Sequence, residues 1–316
     1  MRRLLILSAA GAALTSMNLL AAPAPVRCGI EMRNVALRAA DGVVLNIRAL
    51  DGEFVSRAPG EPPVFDDPSS YIVRLRTADI AMDANALNAM LRRALAEKRT
   101  PLSDVTIELN EGRLHATGKL HKGVTVPFSM TALVTATNDG LLRLHAEKLK
   151  AIGVPVKGLF DLLGIDVADL MKMPAGSGIR AEGDDLLLDA AALMPPPRME
   201  GRVQSVAVTS GRLALRLQGA ANPPTHPATR PVPAAKNYLY FYGGSIRFGK
   251  LTMTDADMQL IDADPSNAFD FYPAKYEDQL VAGYSRNTRR KGLQVFMPDY
   301  ARTRANGGIL RPPRLR

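Results

Sequence analysis

Tryptophan is absent from this chain of 316 residues, and cysteine occurs once. The lone Cys28 can close no internal disulfide, so no cross-linked framework underlies the fold and the redox compartment stays unmarked. No zinc-ligand spacing, Gly-rich phosphate loop or nucleophile elbow occurs. The residues therefore put forward no catalytic group, no metal site and no cofactor. Aromatic side chains make up only 5% of the chain, and leucine and alanine dominate. That composition suits an open aliphatic groove and equally an ordinary Ala/Leu-rich core. Hydrophobic residues at 47% against 22% charged place the chain among globular proteins.

What the chain does carry begins with a leader pattern. Met1-Arg-Arg3 is a positive n-region, residues 4–20 are mostly apolar, and Ala21-Ala-Pro-Ala24 offers small residues for cleavage near Ala22. Residues 1–22 are expected to be a signal peptide. The alternative is an N-terminal membrane anchor, since the run approaches spanning length, but Ser8, Thr15, Ser16 and Asn18 dilute it. Val26-Arg27 before Cys28 is not a lipoprotein cleavage context. The formal net charge is +9, and cleavage removes Arg2 and Arg3 to leave +7. A basic, exported protein is expected to meet an anionic membrane surface rather than nucleic acid.

Period-2 alternation dominates the rest. Val35, Leu37 and Ala39 lead to Asp41-Gly42, a two-residue turn signal, and Val43, Leu45, Ile47 and Ala49 lead back to Asp51-Gly52. After a strand at Tyr71, Val73 and Leu75, Asp79 or Asp83 is placed to cap a helix. Its apolar stripe is Leu87, Met90, Leu91, Ala94 and Leu95, with Asn88, Arg92, Arg93 and Glu97 on the other side. Residues 101–151 read as a meander. Val105, Ile107 and Leu109 turn at Asn110-Glu-Gly112; Leu114, Ala116 and Leu120 turn at His121-Lys-Gly123; Val126, Phe128, Met130, Ala132 and Val134 turn near Thr137-Asn-Asp-Gly140; Leu142, Leu144 and Ala146 return. Residues 156–163 and 167–173 predict two very apolar helices broken at Gly164, and further strands fall at 179–181, 186–193, 203–209 and 212–217. There is no βαβ rhythm.

Residues 220–236, rich in Pro, Ala and Thr, predict a linker or loop. Every tyrosine except Tyr71 follows it. Residues 238–242 predict an aromatic strand with rings on both faces, and residues 273–284 a helix with Tyr276, Leu280 and Tyr284 on one side. Residues 286–291 predict a basic loop, and residues 302–316 a basic disordered tail. His115, His121 and His145 cluster in the meander, but alternation turns His115 and His145 to the solvent face. The acidic pairs Asp255/Asp257 and Asp262/Asp264 lack EF-hand spacing and read as turn residues at the ends of one strand.

The predicted fold is α+β and mostly β: a long curved antiparallel meander wrapped around one or two helices, with an aromatic-rich C-terminal extension. The division is a β-rich domain over 27–219, a linker over 220–236, the Tyr-rich extension over 237–301 and the tail. An apolar concave face with few covering helices suits an oily guest. Its candidate wall is Leu87, Met90, Leu91, Val126, Phe128, Met130, Leu159, Phe160 and Leu163. Candidate headgroup or membrane contacts are Arg92, Arg93, Arg286, Arg289, Arg290 and Lys291.

Three patterns carry a family resemblance: Asp83-Ala-Asn-Ala-Leu-Asn-Ala-Met-Leu91, Val105-Thr-Ile-Glu-Leu-Asn-Glu-Gly-Arg-Leu114 and Leu149-Lys-Ala-Ile-Gly-Val-Pro-Val-Lys-Gly-Leu159. With them, residues 71–217 resemble the LmeA-like phospholipid-binding proteins of bacterial envelopes, themselves similar to the tubular lipid-binding superfamily. The resemblance implies export, phospholipid binding and no catalysis, and it transfers no binding residue position by position. The expected function is a periplasmic phospholipid-binding protein that holds or shuttles acyl chains in an apolar groove. The alternative is an envelope interaction module that binds a polyanion or partner protein through its basic and Tyr-rich surface.

Overall fold

The computed structural model describes residues 24–97, 102–122, 124–151, 178–182, 185–225, 235–288 and 292–306. Several expectations fall outside them: the signal peptide, both apolar helices with Leu159, Phe160 and Leu163, the middle of the linker, Arg289, Arg290 and Lys291, and the end of the tail.

β1 (Arg27–Ala40) and β2 (Val43–Ser56) form a hairpin through Asp41-Gly42, with Gly42 at φ 75°. β3 (Tyr71–Asp83) returns antiparallel along β2 and leads into α1 (Ala84–Glu97). Of the two candidate caps, Asp83 serves: its Oδ1 accepts the Ala86 N–H at 2.8 Å.

The alternation in these long strands does not run through unbroken. Core positions are Cys28, Ile30 and Met32 in one half of β1 but Val35 and Leu37 in the other. β2 slips likewise between Ile47 and Leu50, and β3 between Leu75 and Ala78. Met32 faces Leu50 and Val35 faces Ile47, so the slips of β1 and β2 lie opposite each other, and the slip of β3 lies next along, opposite Leu50 and Gly52, where Leu50 faces Ala78 and Gly52 faces Leu75. The result is a transverse crease, with Asn34 at φ 49° on its line. The inward row expected to include Ala49 therefore passes to Leu50, which is 3% exposed. Nor does Asp51-Gly52 end the strand, since β2 continues to Ser56. Gly52 lies where a Cβ would overlap the Arg74 carbonyl oxygen, so this glycine marks a close strand approach and not a turn.

The crease lets each half of the sheet take its own neighbours. On one side of it β1 pairs with β13 (Tyr238–Tyr242), on the other with β17 (Phe269–Phe271). β3 likewise pairs with β10 (Arg198–Glu200) and then with β12 (Arg212–Gln218), which carries β11 (Arg202–Thr209) at the edge. Beyond β13 the sheet continues through β16 (Asp257–Asp262) and β19 (Leu293–Met297) to β18 (Tyr284–Asn287). A small hairpin, β14 (Ser245–Phe248) with β15 (Leu251–Thr254), stands beside it. The Tyr-rich part thus continues the sheet that begins at β1. Leu239 and Phe241 enter the main core, where Phe241 meets Phe54, Phe65 and Phe248 edge-on, while Tyr238, Tyr240 and Tyr242 pack together on the opposite face.

The predicted helix over 273–284 is a 3₁₀ turn, Pro273–Lys275, followed by α2 (Tyr276–Ala282). Its buried side is Tyr276, Gln279 and Ala282, whereas Leu280 is exposed and Tyr284 already belongs to β18. Polar bonding overrode the apolar spacing. The Gln279 amide donates to the Asp270 and Pro298 carbonyls at 3.0 and 2.9 Å and accepts the Tyr272 N–H at 3.0 Å. The last helix, α3 (Tyr300–Asn306), follows β19 and covers the first residues of the expected disordered tail.

A polar chain ties the crease to these C-terminal strands. Asn34 donates to Asn237 Oδ1 at 2.8 Å, and Asn237 donates to Asp262 Oδ2 at 2.9 Å. Burial pushes the Asp262 carboxyl up to about 6 from 3.8, only partly countered by the hydrogen bonds from Asn237 and the Asp264 N–H. The folded chain therefore holds this proton more tightly than the unfolded chain. The contribution to stability is fully present below about pH 4 and is lost as pH rises through about 6. Thermal unfolding at pH 5 and 7.5 should show wild type gaining on Asp262→Asn at the lower pH, by on the order of 2 kcal/mol. A constant difference between the two chains would assign the proton elsewhere.

The meander is a separate six-stranded sheet: β4 (Leu102–Asn110), β5 (Arg113–Lys122), β6 (Val124–Ala136) and β7 (Leu142–Ala151), then β9 (Asp185–Leu188) and β8 (Ile179–Glu182). Its hairpin tips cap the free edge of β11. Gly112 N–H donates to the Val208 carbonyl at 3.0 Å, and Val203 N–H donates to the Gly140 carbonyl at 2.8 Å. α1 fills the joint. Asn88, expected on the outer side of that helix, is 9% exposed and clasps β4 instead: its Nδ2 donates to the Ile107 carbonyl at 2.8 Å and its Oδ1 accepts the Ile107 N–H at 2.7 Å. β4 is an edge strand, so those two backbone groups have no ladder partner, and a side-chain amide supplies the missing pair.

Candidate functional site

The meander sorts its side chains by face. Ile107, Ala116, Met130 and Leu149 lie opposite one another across β4 to β7, and Val134, Leu144 and Leu186 form a parallel row. The other face carries Glu108, His115 and Thr131 in one register row and His145 and Asp185 in another. Most of the apolar face is covered: Leu109, Ala116, Leu120, Val126, Phe128, Ala132, Val134 and Leu142 are buried, and Ile107, Leu114 and Leu144 pack against the main core, while Val105, Met130, Leu149 and Leu186 stay half-buried.

The candidate wall residues divide. Leu87 and Met90 pack against the main core, and Leu91 is half-buried on the same helix. Ala94 is exposed, so the stripe fades toward the helix end. Val126 and Phe128 join Leu120 in a second cluster flanked by Leu102, Val105 and Leu149, and Phe128 lies against Gly118. Met130 is on that same face between the two groups. Among the basic candidates, Arg92 and Arg93 are exposed on α1. Arg286 is engaged: its guanidinium sits 5.4 Å from the Tyr284 ring centre and 5.7 Å from that of Phe296, and the two rings stack at 4.9 Å. The three histidines have separate partners: Thr131 for His115, Ser103 and Thr125 for His121, and Asp185 for His145 at 2.6 Å. The Tyr-rich surface of the alternative reading is largely interior, since Tyr238, Tyr240 and Tyr242 are at most 3% exposed.

Two further recesses lie away from the candidate wall residues. Inside the bend of β1, β2 and β3 lies an apolar cavity of about 170 Å³, walled by Met32, Leu45, Ile47, Leu50, Phe54 and Ile80. Pro195, Pro196 and Pro197 cross it on one side, and Phe65 with Pro68 on another. The readable signal was the triple proline, a segment that can donate no backbone hydrogen bond and so suits a strap over an apolar surface. On the outer face, β2, β3, β12 and β11 form an open trough of about 840 Å³ with Ala81, Ala207 and Ala214 in its lining. Arg48 and Arg216 both bind Asp79 there, and Arg212 has no ion-pair partner among the described residues.

No family model, curated protein or solved structure matches the chain. Among the described residues no helix is long and apolar enough to cross a membrane, and no group of His, Cys, Asp and Glu side chains is arranged to hold a metal ion.

Proposed function

We propose that this is an exported, non-catalytic phospholipid-binding protein that shelters acyl chains against the apolar face of the meander. The observation that carries the reading is the half-buried part of that face. Beside the buried cluster of Leu120, Val126 and Phe128, the aliphatic side of this sheet leaves Val105, Met130 and Leu149 half-buried. Acyl chains gain about 0.8 kcal/mol per methylene on leaving water, but a lipid in a bilayer already has that gain. The net preference for the protein is therefore small, which lets a carrier both load and unload.

Mass spectrometry of lipid extracted from the purified protein should detect phospholipid. Met130→Lys, which puts a charge on the face, should lower the amount by about tenfold or more with little change in melting, since the position is only half-buried. Finding no lipid in wild type, together with no uptake of a fluorescent phospholipid, would sink the reading.

Arg92 and Arg93 are the exposed cations suited to anionic headgroups. At roughly 1 kcal/mol each near an anionic surface, they localise the protein without anchoring it. Flotation with phosphatidylglycerol vesicles should weaken as salt rises and weaken further in Arg92→Glu/Arg93→Glu. Salt-independent flotation would mean apolar insertion instead.

A further inference from the structure

We infer that the cavity inside the bend of β1 to β3 and the polar cleft beside it form one site for a single-chain carboxylate, distinct from the meander face. An apolar hole of about 150 Å³ takes up a benzene-sized guest. At about 170 Å³ this cavity has room for the end of one acyl chain and not for two. The lining changes character at one rim. Arg38 borders both the cavity and a cleft of about 450 Å³ that is lined by Asp41, Tyr272, Lys275, Asp278 and Tyr300. Two segments pass from one recess into the other: Leu37-Arg38-Ala39-Ala40-Asp41 at the end of β1, and Pro273-Ala274-Lys275 in the 3₁₀ turn. An apolar hole opening beside a polar cleft is the shape of an amphiphile.

The charges in the cleft select the head. Arg38 is held by Asp270 through two bonds of 2.5 and 2.9 Å and lies 5.5 Å from the Tyr300 ring centre, so its charge is already matched. The Tyr272 hydroxyl donates to Asp41 at 2.8 Å. Lys275 is exposed and has no ion-pair partner among the described residues, which leaves one cation for a ligand anion. Asp41 and Asp278 on the same cleft oppose a head with more than one negative charge. A fatty carboxylate fits both limits: its head on Lys275, its chain between Ala274 and Ala39 into the hole.

The site does not depend on the meander reading, and methyl NMR separates them. Met32 and Met199 line the cavity, whereas Met130 is on the meander. Titrating the wild-type, methyl-labelled chain with dodecanoate should shift Met32 and Met199 saturably and leave Met130 in place. Ala39→Leu, which fills the cavity, should weaken dodecanoate binding at least tenfold while leaving co-purified phospholipid unchanged, and Lys275→Met should weaken it severalfold. Shifts confined to Met130, no shift at all, or wild-type affinity in a folded Ala39→Leu chain would each overturn the assignment.

Discussion

A Gly52→Ala chain is expected to melt roughly 5–10 °C below wild type, on a loss of about 3 kcal/mol. Gly52 lies on the crease, where β2 and β3 change register between Asp51 and Gly52, and the added methyl would meet the Arg74 carbonyl oxygen. Backbone cannot rotate away as a side-chain tip can, so the strands must part or the crease must flatten. Either outcome disturbs the layer of Phe54, Val73 and Leu75 packed on the inner face. Gly60→Ala is the control. Nothing lies within 4 Å of its Cβ position, and its φ of 79° costs only the left-handed backbone, about 1 kcal/mol. Scanning calorimetry decides the point, and equal midpoints for the two variants would show that the close approach at Gly52 relaxes freely.

The second large effect is expected at Asn88. Alanine there removes the bond to the Ala84 carbonyl and both bonds to Ile107, leaving an edge-strand N–H and C=O without their partner at a half-buried joint. The cost is about 2–3 kcal/mol, less than for fully buried groups because water reaches part of the edge. Native-state hydrogen exchange localises it: the Ile107 amide should lose protection by a factor of about 30, while amides paired between β1 and β2 keep theirs. Asn88→Asp separates the two halves of the clasp, because a carboxylate still accepts the Ile107 N–H but opposes its carbonyl. Unchanged protection at Ile107 in the alanine chain would remove the clasp as the tie between helix and meander.

Much of the fold could be read from short patterns. Asp41-Gly42 turned the first hairpin as expected, and the Asn110-Glu-Gly112 turn has Glu111 at φ 46° and Gly112 at φ 79°. The apolar rows of β4 to β7 and the two-faced aromatic strand β13 follow local alternation directly. What misled was context. Asp51-Gly52 carries the same dipeptide as Asp41-Gly42, yet one sits in a close strand approach and the other in a turn, because neighbouring strands decide whether the chain may reverse. Asn88 was expected on the outer side of its helix and Gln279 was not marked, but each found backbone groups to bond. The apolar spacing Tyr276–Leu280–Tyr284 lost to that bonding.

The candidate site was legible in part. Local alternation marked the aliphatic face of the meander, since side-chain direction in a strand needs only the period of two. The cavity was not marked, because Met32, Ile80, Pro196 and Phe271 meet there from positions more than 200 residues apart at the extremes.

By itself, the order of amino acids determined a mostly β chain, most of its tight turns, a helix after the third strand and which residues of each meander strand are oily. These are short-range properties of backbone and side chain. Only the tertiary structure decided that neighbouring slips in three strands combine into a crease, that the C-terminal strands join β1, and that a void stays open inside the bend. Each depends on matching irregularities or packed volumes contributed by segments far apart in the chain, for which no local residue pattern carries a signature.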